Sequence, residues 1–177
     1  MKKGFTMIEL IFVIVILGIL ASVAIPRLAG TRTDAEISAT VANIRTLISD
    51  AASYYAVKGE FGSTAKWSDI TNVSVRKGDK KPASDSIVTE DVYLTTGDIN
   101  CILVRLRDKG DPGRPVAFIQ IAKVDANVGK GICPEILAAA PIKAFLDAKV
   151  PGVTPEGSTS GTRPGVIPVS SSISIHE

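Results

Sequence analysis

Phe5 to Ile25 is apolar almost without interruption, 21 residues carrying a single charge at Glu9. That length matches the ~20 residues a helix needs to cross a bilayer. After Pro26 a polar patch, Gly30 to Asp34, gives way to renewed periodicity at Ile37, Val41, Ile44, Ile48 and Tyr55. Leu47, Ala51 and Tyr54 stand beside these positions. Steps of three, four and seven residues line one face of a helix. Thr40, Asn43, Arg45 and Asp50 fall largely on the other face. The pattern predicts one helix over residues 5–55, about 75 Å long at ~1.5 Å per residue. Half of it would lie in a membrane and half would pack on a globular head. Lys58 and Gly59 then supply a terminal cation and a C-cap glycine.

Beyond the helix the pattern shortens. Residues 61–86 are polar, with Trp67, Ile70 and Val73 as anchors against the helix. Arg76, Lys77, Lys80 and Lys81, interspersed with Gly78 and Pro82, read as an exposed loop. Ile87–Leu94 is β-prone, with Val88, Val92 and Leu94 on one side. Cys101–Arg107 alternates, and Val116–Val124 is another apolar run. Residues 108–115, dense in Gly, Pro and Asp, join these two as a hairpin with a long loop. Pro134–Leu146 predicts a short helix bent or broken at Pro141. Residues 150–168 are rich in Pro, Gly, Ser and Thr and predict a loop, while Val166–Ile175 alternates as an edge strand would. The fold class expected is α+β: a long N-terminal helix packed on a small, mostly antiparallel sheet.

Glu9 is the anomaly, because a carboxylate within an apolar run is disfavoured and a neutral residue would anchor the helix better. If the chain were cut after Gly4, Phe5 would become the amino terminus and Glu9 the fifth residue. Glu9 could then meet the terminal amine of a neighbouring subunit shifted along the helix axis, a pairing that is strongly directional in an apolar medium. A secretory signal peptide is the first alternative, with Ser22-Val23-Ala24 as its cleavage site. The apolar run is too long for it, and Glu9 is misplaced. A plain signal anchor carrying a binding domain that forms no filament fits the length but leaves Gly4-Phe5 and Glu9 without a role.

The segment Gly4-Phe5-Thr6-Met7-Ile8-Glu9-Leu10 and its apolar helix resemble the class III leader of type IV pilins and type II secretion pseudopilins. Gly18 and Pro26 continue the likeness, which covers about the first 50–55 residues. The resemblance implies leader recognition through Lys2 and Lys3, and cleavage between Gly4 and Phe5 by a membrane prepilin peptidase. That enzyme would also N-methylate Phe5. It further implies polymerisation through the N-terminal helix, with Glu9 setting register and Gly18 and Pro26 marking a stretch that can kink or melt during packing. Partners would then be further copies or other pilin-like subunits, the peptidase, an inner-membrane assembly platform and lipid. The protein would cross the bacterial inner membrane once, its C-terminal domain in the periplasm, before entering a pilus or pseudopilus. The domains expected are a leader at 1–4, the helix at 5–55, a head at 56–150 and a tail at 151–177.

Composition narrows the function classes. The excess of 20 basic over 18 acidic side chains equals the two leader lysines, so the processed chain is formally neutral. A dense polymer tolerates such subunits, and nothing in the balance points to nucleic acid. Asp79 sits inside the basic loop and no aromatic residue interleaves it, which also argues against nucleic acid. Cys101 and Cys133 are an even pair in an exported chain, and a disulfide is the first reading. Two free buried thiols are the alternative, and without a Cys-x-x-Cys motif zinc or redox chemistry has no basis. The single histidine, His176, is next to last, and no nucleophile–base arrangement or phosphate loop can be built. Asp108 with Asp111, or Asp125 with Asn127, offer oxygen ligands for calcium, but turn formation explains them more simply. The expectation is a structural subunit with no cofactor and no catalysis.

Overall fold

The computed structural model describes residues 6–79, 81–110, 116–151, 153 and 163–169, with the side chains of 26–29 also left aside. Lys2, Lys3, Gly4 and Phe5, residues 111–115 of the 108–115 loop and most of the 151–177 tail lie outside the described residues. The chain divides into two compact units, Met1–Glu36 and Ile37–Glu177.

Helix α1 runs Met7–Lys58 and contributes to both units. Its backbone is helical through Gly18 and Pro26. It stops where the sequence supplies a residue without a Cβ: Gly59 sits at φ 78° and donates its amide to the Tyr55 carbonyl at 2.8 Å. That is the left-handed closure glycine permits at the end of a helix.

In the second unit, Val41, Ile44, Leu47, Ala51 and Tyr55 of α1 are buried in one apolar cluster with the sheet. Ile37, Ile48 and Tyr54 flank them, half-buried. Asn43 and Arg45 are exposed as expected. Thr40 is not, being only 8 % exposed on the core side, one position before Val41. Asp50 is half-buried, and its carboxylate accepts a 2.6 Å hydrogen bond from Thr71 at the end of the one-turn helix α2 (Trp67–Ile70). Trp67 and Ile70 are buried, fixing this connection on the core.

The sheet has order β1-β2-β3-β4, all antiparallel: β1 Val92–Thr96, β2 Ile99–Arg107, β3 Phe118–Lys123 and β4 Val166–Pro168. Register places Val92, Leu94, Ile102, Val104, Leu106, Ile119 and Ile121 on one face, all buried. The period-2 alternation of strands dictates this once one residue is fixed inward. The β-prone run expected from Ile87 pairs as a strand only from Val92. Ile87 makes an isolated bridge with Lys66, and a turn closes from its carbonyl to Glu90, so the ladder cannot start there. Helices α3 (Cys133–Ala138) and α4 (Ala140–Leu146) add the buried Cys133, Ile136 and Ile142 to the same core. They are separated at Ala139, whose ψ of 131° is extended, with Pro141 in the first turn of α4. The expected break thus falls two residues before the proline, where Pro is tolerated in a new helix start. β4 is the expected edge strand as far as Pro168; residues 170–177 lie outside the described ones.

Two local devices hold the head. Cys101 in β2 and Cys133 at the start of α3 are bridged, their Cα atoms 5.4 Å apart, and both are buried. Asp108, just past β2, accepts the amides of Phe61 and Gly62 at 2.9 and 3.2 Å. Burial, then Asp108, then Glu60, pushes the Tyr55 phenol above its ordinary value of 10.0. The folded state therefore holds this proton more tightly than the unfolded chain does. That contribution is fully present below the ordinary phenol value and lost as pH rises through the folded one. Alkaline melting curves should show falling stability in that range, and Tyr55→Phe should remove part of the slope.

Gly165 has φ 72°, and a Cβ there would run into the Ile121 carbonyl oxygen. Gly165→Ala should therefore destabilise the head by at least ~1–2 kcal/mol, the cost of a left-handed L-residue alone. A thermal melt of the purified variant checks this.

Candidate functional site

The N-terminal stretch of α1 is where the sequence concentrates its unusual chemistry. Among described residues from Met7 to Ile25 every side chain is exposed, including Met7 at 78 % and Ile25 at 66 %. Isoleucine, leucine, valine and phenylalanine lie all around the helix, whereas the later half has one apolar face. A helix apolar on every side has to be surrounded by lipid or by other protein. By length and composition it can cross a membrane.

At its start, Thr6 and Glu9 cap each other. The Glu9 Oε2 atom accepts the Thr6 amide at 2.9 Å and the Thr6 hydroxyl at 2.7 Å. The Thr6 hydroxyl oxygen in turn accepts the Glu9 amide at 3.4 Å. This reciprocal arrangement, Thr-x-x-Glu, satisfies amides that the first helical turn leaves unpaired. It also sets a carboxylate at the positive end of the helix. Glu9 thus has a local role within one chain that sequence reading missed, although the spacing of Thr6 and Glu9 was there to find. Its other oxygen, Oε1, accepts no hydrogen bond among the described residues.

The remaining sequence-derived residues do not converge on Glu9. Gly18 lies in the exposed apolar stretch, and an added Cβ would meet nothing within 4 Å. Packing inside the chain therefore does not require a glycine there. Pro26 is in the helical backbone, with its side chain outside the description. Cys101 and Cys133 belong to the head. The basic loop carries local partners: Lys77 lies 3.5 Å from Glu90 and Lys81 lies 3.1 Å from Asp79. Hydrogen bonds from Lys81 hold the Asp79 carboxyl below its usual range.

Asp111 lies outside the described residues, and the other oxygens considered for calcium are engaged in the fold. Asp108 holds two amides, Asp125 faces Lys123 at 3.2 Å, and the Asn127 Oδ1 atom accepts from Lys130. Among the described residues no group of three or more His, Cys, Asp or Glu side chains is placed to hold a metal ion.

Residues 1–25 match the family model of the prokaryotic N-terminal methylation motif, the class III prepilin leader of type IV pilins and pseudopilins. No curated protein and no solved structure matches the chain. The motif supports a type IV pilin-like protein processed by prepilin peptidase and assembled with other pilin-like subunits, which are structural and not enzymes. The apolar helix and the leader fit anchoring in the inner membrane. A long apolar N-terminal helix followed by a four-stranded antiparallel sheet is the α+β, pilin-like architecture.

Proposed function

We propose that this chain is a structural subunit of a filament, a type IV pilus or a type II secretion pseudopilus, polymerised through its N-terminal helix α1. The observation that carries this reading is the exposed apolar surface of Met7–Ile25 with one carboxylate oxygen left open at its start. In a bundle of such helices the apolar side chains pack on each other, and the remaining Glu9 oxygen accepts the terminal amine of a neighbour. The Thr6 cap holds the carboxylate in place while it waits for that partner. In apolar surroundings a carboxylate with one unfilled position selects the single axial shift that fills it.

The sheet edges of the head favour the same route. At β1, Tyr93 exchanges both backbone hydrogen bonds with Arg76, at 2.9 and 2.8 Å. At β4, the Val166 amide is taken by the Ala148 carbonyl, and Pro168 has no amide to offer. Blocked edges disfavour strand addition between heads, which leaves the helix as the polymerising element.

On this reading Lys2, Lys3, Gly4 and Phe5 form the processing signal, with Phe5 methylated after cleavage. Gly18 and Pro26 weaken the helix where subunits must adjust. Gly18→Ala should raise local helix stability by about 1 kcal/mol and lower filament yield without affecting insertion. The test of the reading is the state of the processed chain in cells. Recovery in sheared surface fibres, or as a cross-linked ladder of oligomers in the envelope, supports it. Processed chain present only as a membrane monomer contradicts it.

A further inference from the structure

The connection between α1 and β1 encloses a pocket of about 320 Å³ whose wall, among the described residues, carries no charged side chain. Trp67, Thr71 and Val75 form its buried part, and Ser68, Asn72, Ser74 and Ser84 its exposed rim. Thr71 is occupied, since it donates to Asp50 and its oxygen accepts the Val73 amide at 3.1 Å. The side chains of Ser68, Asn72, Ser74 and Ser84 make no hydrogen bond among the described residues. The Trp67 indole N–H is buried with no acceptor among the described residues. An unpaired buried donor is costly, and natural structures supply it with a water or a ligand.

We propose that this pocket takes one ring of a neutral saccharide. Three properties of the wall select that class. The absence of charge gives an ionised ligand nothing to repay its desolvation. Four uncommitted rim groups, hydroxyls and one amide, can each donate and accept, as the hydroxyls of a sugar do. Pro82 and Val75 supply apolar surface for the ring carbons. The volume lies at the small end of ligand sites and suits a single ring. Its position on a connection and not on the sheet is where proteins place binding groups. The inference goes beyond the filament reading and does not depend on it: a filament whose heads each hold a sugar weakly would bind a glycan surface through many contacts at once.

Trp67 is the chain's single tryptophan, so its emission reports on this pocket directly. The full chain in detergent is titrated with glucose, galactose and N-acetylglucosamine, and with the charged sugars galacturonate and glucosamine. A saturable change in Trp67 emission is expected with at least one neutral sugar, half-complete at about 1–10 mM, as befits a small ligand with few contacts. Ser74→Phe, which fills the mouth from an exposed position, should weaken it at least tenfold, and Asn72→Ala about threefold. An unchanged melting temperature and far-ultraviolet circular dichroism spectrum without sugar verify that each variant is folded. No saturable response to any neutral sugar would overturn the proposal. So would an equal response to the charged sugars, or undiminished binding in both folded variants.

Discussion

Glu9→Ala is expected to leave membrane insertion and cleavage intact and to abolish filaments, whereas Glu9→Gln separates the two roles of the residue. Glutamine at this position can still accept from Thr6 and close the cap, as the Thr-x-x-Glu/Gln arrangement allows. It cannot offer a negative charge to a neighbour's amine. If Glu9 acts only as a cap, Glu9→Gln should assemble nearly as the parent chain does. If its open oxygen sets register, Glu9→Gln should fail almost as completely as Glu9→Ala. The account expects the second result, read from filament yield at matched levels of processed protein. Thr6→Ala supplies the complementary case: it loses the cap but keeps the carboxylate, and should reduce assembly less than either Glu9 variant does.

The second large effect concerns the head. Cys101 joins the sheet to α3 through Cys133, closing a segment with a sequence separation of 32. In the chain-entropy account such a closure contributes about 3–4 kcal/mol by restricting the unfolded chain. The bridge is the covalent tie between β2 and α3, beside the apolar burial of Ile136 and Ile142, so the α3–α4 segment should loosen first when it is cut. The double variant Cys101→Ala/Cys133→Ala should lose most of this stability in denaturant melts. It should be depleted in an oxidising compartment through degradation, even though its N-terminal helix is unchanged. Reducing agent on the purified parent chain should shift the melt in the same direction. Unaltered melts in both cases would remove the bridge from the account of the fold.

How much of this was legible in the chain follows from the reach of each signal. The helix was readable because its apolar periodicity and its Lys58-Gly59 stop are local, and both are found in α1. The pairing of β2 with β3 was readable because two alternating runs flank a segment dense in turn formers. The β1–β2 hairpin was not read, although Thr96 and Ile99 pair across Gly97-Asp98 and Gly97 takes φ 59°. A Gly-Asp pair signals a turn only if the preceding strand is recognised, and that strand was expected to begin too early.

Other features depend on contacts that no local pattern encodes. Burial of Thr40 depends on how α1 is rotated against the sheet. The Asp108 clip joins residues more than forty positions apart. The pocket at Trp67 is made by a connection with no periodicity at all. At the candidate site the reverse holds: the anomaly of Glu9 is plain in the sequence, and so is the Thr-x-x-Glu spacing, but an acid in an apolar run points equally to a partner in another chain.

The central claim is that the chain is cut after Gly4 to expose Phe5, so that helices can stack with Glu9 against a neighbour's terminus. Mass spectrometry of the intact protein recovered from its native membrane, with sequencing of the N-terminal peptide, tests this most directly. The account requires a chain beginning at N-methylated Phe5. A chain beginning at Met1 would make the helix a simple anchor, one beginning at Ile25 would make it a discarded signal, and either would contradict the claim.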